Sequence, residues 1–386
     1  MPIVESVTQH YSPGLEGVPA GETAICQVDE GGAGLRYRGY AVGDLAEQAM
    51  FEEVAYLLLF GKLPTRKELT DFSADLAARS VLPDRIVAFL ATLPSDAHPM
   101  DMLRTAVSWL GLLDPDSRHR SREATLRMSI RLLAQIPLVI ATAHRLAMGA
   151  ELVPRQPHLS FAENLLLYLT GLKADEDERA RAMARVLDVS LILYAEHEFN
   201  ASTFSARVTA STLTDLYSAV TAAIGTLKGP LHGGANEAVA EMFVSIGSPD
   251  RAEAWVKEAL AEKKRIMGFG HRVLKHGDVR SDIIQREAAR LSDLCGDRRW
   301  YDIALAVDHV MRREKGLYPN LDFYTAVAYV LMGIPRALYT PLFVCSRIAG
   351  WCAHVIEQQE QNRLIRPRAL YKGPAPEAYV ALDDRR

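Results

Sequence analysis

The sequence contains few of the features that mark extracellular, membrane or nucleic-acid-binding proteins. It has only 4 cysteines in 386 residues and no CxxC pair, which argues against a disulfide framework or a zinc finger. Its net charge of −4 offers no basic surface for nucleic acid. No apolar run reaches the roughly 20 residues of a membrane-spanning helix, and the first 14 residues lack a basic leader. We therefore expect a cytoplasmic protein whose thiols, including Cys345 and Cys352, are reduced and buried.

Common cofactor motifs are also missing. There is no GK[ST] phosphate loop, and strands do not alternate with helices, which disfavours a doubly wound nucleotide-binding fold. His197 lies in "YAEHEFNAST", but Ala201 occupies the position where an HExxH zinc motif has its second histidine. We therefore expect no metal site.

The sequence instead shows helical periodicity along most of its length. In "DLAEQAMFEEVAYLLLFG", apolar residues recur at three- and four-residue steps, which predicts one helix ending near Gly61. Further helices are predicted over 66–80, 121–149, 159–170, 178–199, 205–226, 250–264, 281–295, 300–315, 322–332 and 335–361. Only "TAICQVD", the turn "EGGAG" and "LRYRGY" are typical of strands. The sequence predicts an all-α fold with a short N-terminal β-hairpin.

Glycine and proline cluster at two places that suggest domain boundaries. Gly225 and Gly229-Pro230 precede, and Pro319-Asn320 ends, a stretch of about one hundred residues. We expect a small helical domain, 224–327, inserted into a large domain formed by 1–223 and 328–386.

Three short stretches combine a glycine or proline break with a titratable residue. They are "GPLHGGANE" with His232, "GFGHRVLK" with His271, and "YPNLDFYTAV" with Asp322. Each has a purely structural alternative: a capping or packing histidine, a glycine loop with solvated basic residues, and a routine helix cap.

Their chemical interpretation is more specific. At a helix N-terminus, the imidazole of His232 should be neutral and able to donate a hydrogen bond. Gly268 and Gly270 would allow a ligand to approach the main chain. Asp322 beside aromatic residues could act as a general base if desolvation raises its pKa. Arginines near the C-terminus, Arg347 and Arg366 among them, are either solvated or hold carboxylates bidentately.

Taken together, these stretches resemble the citrate synthase family. The resemblance extends over residues 15–372 in family order and is carried by "LRYRGYAVGDLAEQAMFEEVAYLLLFGKLPT", "HPMDMLRTAVSWLG", "EHEFNASTFSARV", "GTLKGPLHGGANEAV", "GFGHRVLK", "GLYPNLDFYTAV" and "SRIAGWCAHVIEQ". Each segment alone is weak evidence, whereas the combination is specific.

The resemblance implies an all-α, two-domain homodimer of the short form that closes over oxaloacetate before an acyl-CoA binds. The enzyme would join the acyl carbon to the keto carbon and then hydrolyse the thioester. Coenzyme A thioester would be a co-substrate, and no metal or redox cofactor would be needed. Its partners would be oxaloacetate and acyl-CoA, with no nucleic acid or membrane.

Site residues follow from the same resemblance. The catalytic positions fall on His232, His271 and Asp322. The contacts to oxaloacetate or citrate fall on His197, His271, Arg280, Arg347 and Arg366, with Arg366 reaching from the second subunit. The coenzyme A site falls on Gly268, Phe269, Gly270 and Lys275. Val279 stands where the family pattern has proline, which loosens the turn before Arg280.

Two alternatives to a citrate synthase remain open at this point. A 2-methylcitrate synthase would use propionyl-CoA, and one methylene changes binding by only about 1–3 kcal/mol. The other alternative is a non-catalytic helical relative that binds a ligand.

Overall fold

The fold of this protein, from a computed structural model that describes residues 11–29, 34–270, 274 and 277–385, is almost entirely helical. The helices are α1 Val42–Gln48, α2 Phe51–Phe60, α3 Arg66–Arg79, α4 Asp84–Ala91, α5 Pro99–Leu113, α6 Arg122–Ala147, α7 Phe161–Thr170, α8 Glu178–Tyr194, α9 Ala201–Ser211, α10 Leu216–Leu227, α11 Ala235–Ile246, α12 Pro249–Ala261, α13 Val279–Cys295, α14 Arg299–Lys315, α15 Leu321–Leu331 and α16 Tyr339–Glu360. This confirms the predicted all-α class.

A small antiparallel sheet lies near the N-terminus. Strand β1, Cys26–Val28, pairs with β2, Leu35–Tyr37, and β2 pairs with β3, Tyr40–Ala41. The two predicted hairpin strands are therefore present, and a third short strand continues directly into α1.

Helix α16 forms the centre of the core. Almost every residue from Tyr339 to Ile356 is buried, and the helix packs against α2, α5, α6, α8, α9 and α10. Such all-round burial is typical of an inner core helix. Helix α6 is the one helix of the described chain with the length and apolarity to cross a membrane, and most of it is buried inside the protein.

Helices α11 to α15 pack largely on one another. Helix α15 contacts α11, α13 and α14, and α12 contacts α14. Helices α13 and α15 also contact α8, and α11 contacts α16. Residues 23–363 form one compact unit, and residues 11–22 with 364–385 form a second. The boundaries expected for a large and a small domain stay a prediction.

Three predicted helices differ from the observed ones. The single helix expected before Gly61 is two helices, because the chain is extended at Ala49 and Met50. The helix expected over 205–226 is likewise divided between α9 and α10. The helix expected to reach residue 199 ends at Tyr194, which leaves His197 in a loop. Cys345 and Cys352 are buried and free, as expected.

Candidate active site

Asp322 is the second residue of α15, and its carboxylate does not cap that helix. The cap is Asn320, whose Oδ1 accepts a hydrogen bond from the Asp322 backbone N–H at 3.1 Å. The Oδ1 of Asp322 instead accepts a hydrogen bond of 2.6 Å from the Tyr194 hydroxyl. The capping alternative for Asp322 is therefore wrong, and its carboxylate is available for chemistry.

The surroundings of Asp322 hold its pKa close to neutral. Burial raises the pKa of this carboxyl to about 6, while the Tyr194 hydrogen bond and the charges of Arg280 and Arg347 lower it and Asp278 raises it. A carboxylate with such a pKa is ionised at pH 7 and is a stronger base than an exposed aspartate.

His232 lies in the turn that precedes α11, and its ring contacts the start of α9. Its Nε2 is 3.3 Å from the backbone nitrogen and 2.8 Å from the hydroxyl oxygen of Ser202. A backbone N–H can only donate, so Nε2 is the acceptor and the neutral ring carries its proton on Nδ1. Burial and the charge of Arg347 lower the pKa of His232 to about 4.

Ser202 is the second residue of α9, a position whose N–H has no partner within the helix. Its hydroxyl oxygen accepts from the Trp351 indole at 3.2 Å, and its single proton faces two acceptors, His232 Nε2 and Asn200 Oδ1, each at 2.8 Å. The hydrogen bond from the Ser202 N–H explains why His232 is neutral, as expected. The helix that supplies this N–H is α9, whereas the sequence suggested α11, the helix that follows the histidine.

Phe343 of α16 packs against both His232 and Tyr194, the hydrogen-bond partner of Asp322. Its ring centroid is 4.4 Å from that of Tyr194 and 6.2 Å from that of His232. The guanidinium carbon of Arg347 lies 4.7 Å from the same centroid, and its Nε donates to the Tyr194 carbonyl at 2.7 Å. Of the predicted catalytic residues, His232 therefore contacts this ring directly, and Asp322 is linked to it through Tyr194.

An ion pair with Asp278 fixes the orientation of the Arg280 side chain at the start of α13. Its Nε and Nη2 donate to the two carboxylate oxygens of Asp278 at 3.0 and 2.8 Å, and both side chains are buried. Asp278 also caps the helix by accepting from the Arg280 backbone N–H. Val279 in place of proline therefore leaves this arginine held by its neighbour.

His197 and Arg366 occupy very different settings. His197 is 8% exposed and lies in the loop between α8 and α9, where its carbonyl accepts from Asn200 at 3.5 Å. Arg366 is exposed and belongs to the terminal unit of residues 11–22 and 364–385.

Residues 268–270 of the predicted coenzyme A loop lie against the segment that leads into α15. The Gly268 carbonyl accepts from the Asn320 N–H at 2.9 Å, and the Gly270 N–H donates to the Tyr318 carbonyl at 3.2 Å. Gly268 has a φ of +81°, and a Cβ there would meet the Phe323 ring at 2.8 Å. The predicted site residues His271 and Lys275 lie outside the described residues.

Sequence reasoning missed Tyr194, Ser202 and Asn236, which link the predicted residues. The Asn236 Nδ2 donates to the Tyr194 hydroxyl at 3.1 Å. The "FNAST" stretch does carry a local signal, because Asn200 is a preferred cap and thus marks a helix start, where the Ser202 N–H has no partner within the helix. Tyr194 has no comparable local signal.

A groove elsewhere in the described chain lies away from these residues. It has a volume of about 640 Å³ between α12 and α14 and contains none of the predicted site residues. Two of its acidic side chains are paired, since Glu253 contacts Lys257 and Arg313, and Asp308 contacts Arg312. In the residues that the structure describes, no three His, Cys, Asp or Glu side chains are grouped as metal ligands.

The arrangement around Phe343 is suited to removing a proton from carbon. A partly buried carboxylate with a pKa near 6 can accept the proton, and a neutral imidazole can donate a hydrogen bond to the carbonyl oxygen that becomes negative. Buried arginines nearby can hold an anionic partner in a fixed orientation.

Comparisons with known proteins agree with this chemistry. Residues 14–368 match the family model described as citrate synthase, C-terminal domain. Citrate synthase 2 of Bacillus subtilis is 43% identical over 96% of this chain and 98% of its own length. The 2-methylcitrate synthase of Shewanella oneidensis is 45% identical over 96% and 97%. The ternary complex of carboxymethyl coenzyme A and oxaloacetate with Thermoplasma acidophilum citrate synthase covers 97% of this chain and 99% of that chain, at 35% identity and a TM-score of 0.90. The chain belongs to the citrate synthase family.

Proposed function

We propose that this protein condenses acetyl-CoA with oxaloacetate and water to give citrate and coenzyme A. The observation that carries the proposal is that the partly buried, basic carboxylate of Asp322 is hydrogen-bonded to Tyr194, and that Tyr194 and the neutral imidazole of His232 pack on the same ring, Phe343. The relative from Thermoplasma acidophilum, of the same fold, is described in complex with oxaloacetate and a coenzyme A derivative.

In the first step, Asp322 removes a proton from the methyl group of the thioester. A hydrogen bond from His232 Nδ1 to the thioester oxygen stabilises the enolate that forms. One preorganised donor of this kind is typically worth about 3–4 kcal/mol in the transition state. This step needs the neutral form of His232, and its low pKa of about 4 maintains that form at pH 7.

In the second step, the enolate carbon attacks the keto carbon of oxaloacetate. His271 donates a proton to the keto oxygen as the carbon–carbon bond forms. Water then cleaves the thioester, which leaves a carboxylate on the product and the thiol on coenzyme A. His197, Arg280, Arg347 and Arg366 hold the carboxylates of oxaloacetate.

Coenzyme A is held by the loop that contains Gly268, Phe269, Gly270 and Lys275. The backbone of residues 268–270 is anchored to the segment 318–320 that leads into α15, so the loop and Asp322 share one support. The proposal needs neither a metal nor a redox cofactor, and it includes a cytoplasmic homodimer in which Arg366 completes the site of the second subunit.

Asp322→Asn should lower kcat at least about 100-fold, because an amide cannot accept the methyl proton. Oxaloacetate affinity, measured by calorimetry, should stay close to that of the wild type. Thiol release from acetyl-CoA in the presence of oxaloacetate gives kcat, and Asp44→Asn, an exposed aspartate of α1, is the matched control. Full turnover by Asp322→Asn would refute the assigned base.

The same thiol assay tests the choice of acyl group. Relatives of both names match this chain at similar identity, so the values of kcat/KM for acetyl-CoA and propionyl-CoA must be compared directly. A higher value for acetyl-CoA supports the proposal, and a clear propionyl preference would replace it by 2-methylcitrate synthesis.

A further inference from the structure

Tyr194, the last residue of α8, lies between the base and a second polar side chain. Its hydroxyl is 2.6 Å from Oδ1 of Asp322 and 3.1 Å from Nδ2 of Asn236. These three residues come from three helices, α8, α11 and α15. Phe343 packs on it at 4.4 Å.

The direction of these hydrogen bonds is fixed by their chemistry. An amide Nδ2 can only donate, so the Tyr194 oxygen accepts from Asn236. The single phenolic proton must then point at Asp322, which accepts it as a carboxylate. Asn236 is 2% exposed, and the Tyr194 carbonyl is held by Arg347 at 2.7 Å. The phenol is therefore oriented from both ends.

One oxygen of the carboxylate is thus committed to a protein partner. The other groups that act on Asp322 do so through charge: Arg280 and Asp278 from the start of α13, and Arg347 from α16. The Tyr194 phenol is hydrogen-bonded to Oδ1, whereas Arg280, Arg347 and Asp278 are not. The orientation of the carboxylate therefore depends on Tyr194.

We propose that Tyr194 is a positioning residue for proton abstraction, holding Oδ1 of Asp322 so that Oδ2 is the oxygen that takes the substrate proton. This inference rests on the proposed condensation, in which Asp322 is the base. Tyr194 touches neither substrate nor the reacting carbon in this scheme. It acts through the carboxylate, by restricting its rotation and by stabilising its ionised form.

The test is Tyr194→Phe, which removes one oxygen and keeps the ring against Phe343. We expect kcat to fall roughly tenfold, because a misdirected base loses near-attack geometry, while KM for oxaloacetate changes less than about twofold. A donated hydrogen bond lowers the pKa of a carboxylate, so its loss raises that pKa. The acid limb of the kcat/KM profile for acetyl-CoA should therefore move to higher pH by about half a unit or more.

Tyr339→Phe is the matched control, since Tyr339 is a buried tyrosine of α16 whose hydroxyl has no hydrogen-bond partner among the residues that the structure describes. Its acid limb should coincide with that of the wild type. If Tyr194→Phe does not fold, as judged by circular dichroism, Asn236→Ala replaces it. That variant removes the donor to the phenolic oxygen, so the hydroxyl is held less firmly toward Asp322 and the limb should move in the same direction by a smaller amount.

The two proposals fail in different ways. A wild-type protein that releases no thiol overturns the proposed function and this inference with it. The other outcome is an active wild type together with a folded Tyr194→Phe variant, or Asn236→Ala in its place, whose acid limb does not move. That result overturns the inference alone, whatever happens to kcat.

Discussion

At the scale of single residues, the two glycines after His232 have different roles. The Gly233 N–H donates to the Leu227 carbonyl at 2.9 Å, which folds the turn back onto the end of α10. A Cβ on Gly233 would lie 2.5 Å from that carbonyl oxygen, whereas a Cβ on Gly234 would meet its nearest heavy atom at 3.5 Å. The close approach of the turn to the Leu227 carbonyl therefore requires glycine at position 233 but not at position 234.

Gly233→Ala should reduce the free energy of unfolding by about 1–3 kcal/mol, because the turn must shift to relieve the overlap. It should also lower kcat, since the displaced turn carries His232. Urea unfolding and thiol release measure the two effects.

Gly234→Ala is the matched control for this prediction. Its added methyl group stays in ordinary van der Waals contact, so we expect stability and kcat near those of the wild type. Equal effects at the two positions would contradict the steric explanation.

Sequence alone pointed to the proposed reactive residues, His232 and Asp322, but not to the partners that hold them. His232 and Asp322 stand out because glycine, proline and asparagine mark the turns around them. Tyr194 is separated from Asp322 by 128 residues and Ser202 from His232 by 30. Contacts over such distances depend on how helices cross, which no local pattern shows. Tyr194 itself reads as one more apolar position of α8.

At the scale of helices, long-range hydrogen bonds explain the break between α1 and α2. Arg185 of α8 donates to the carbonyls of Ala46, Glu47 and Ala49 at the end of α1. Asp188 accepts from the Phe51 N–H, the first of α2, at 2.9 Å. These partners satisfy backbone groups at both helix ends, and they lie more than 130 residues away, so periodicity alone predicted one helix.

The break between α9 and α10 had a local signal. Asp215 caps α10 by accepting from the Ser218 N–H at 2.9 Å, and aspartate is a preferred cap. The helix termini near Gly61, Gly171 and Gly316 follow the same rule, because glycine takes the left-handed conformation that ends them. Element boundaries were thus predictable where the capping group is a near neighbour.

Helix α2 also carries a buried acid that should make stability depend on pH. Glu52 is 5% exposed, and its Oε1 accepts from the Phe161 N–H at the start of α7 at 2.8 Å. Burial, with a contribution from Asp188, raises the pKa of Glu52 to about 7. The folded protein therefore holds this proton more tightly than the unfolded chain. Its stability falls as the pH rises from the ordinary glutamate pKa of 4.5 to about 7.

Glu52→Gln should remove this dependence. Its free energy of unfolding relative to the wild type should increase by about 2–3 kcal/mol between pH 5 and pH 8, because only the wild type must ionise a buried group. Urea unfolding at several pH values measures the difference. The free energy of unfolding of Glu47→Gln, on the exposed face of α1, should change with pH as that of the wild type does. A difference between Glu52→Gln and the wild type that does not change with pH would show that the carboxyl titrates normally.

At the scale of the whole molecule, residues 23–363 carry the described site around Phe343. The terminal unit of residues 11–22 and 364–385 exposes several large apolar side chains, namely Tyr11, Leu15, Val18, Leu364, Tyr371, Tyr379, Val380 and Leu382. Apolar surface of this kind is typical of segments that contact another chain. It supports the proposed homodimer, in which Arg366 serves the neighbouring site.

Mixed dimers test this arrangement. Arg366→Ala and Asp322→Asn should each be nearly inactive alone. In a mixed dimer, one site combines the intact Asp322 of one chain with the intact Arg366 of the other. Random reassembly makes half of the dimers mixed, each with one intact site, so about a quarter of wild-type activity should return. A mixture no more active than its parents would exclude a shared site.

The position of Phe343 limits how this enzyme could be redesigned. Widening the acyl site for longer thioesters invites replacement of a large aromatic side chain by a small one. Here, however, the same ring packs on Tyr194, His232 and Arg347. A smaller residue would loosen Tyr194, the proposed hydrogen-bond donor His232 and the proposed substrate anchor Arg347 together, so room for bulkier acyl chains is better sought at other residues.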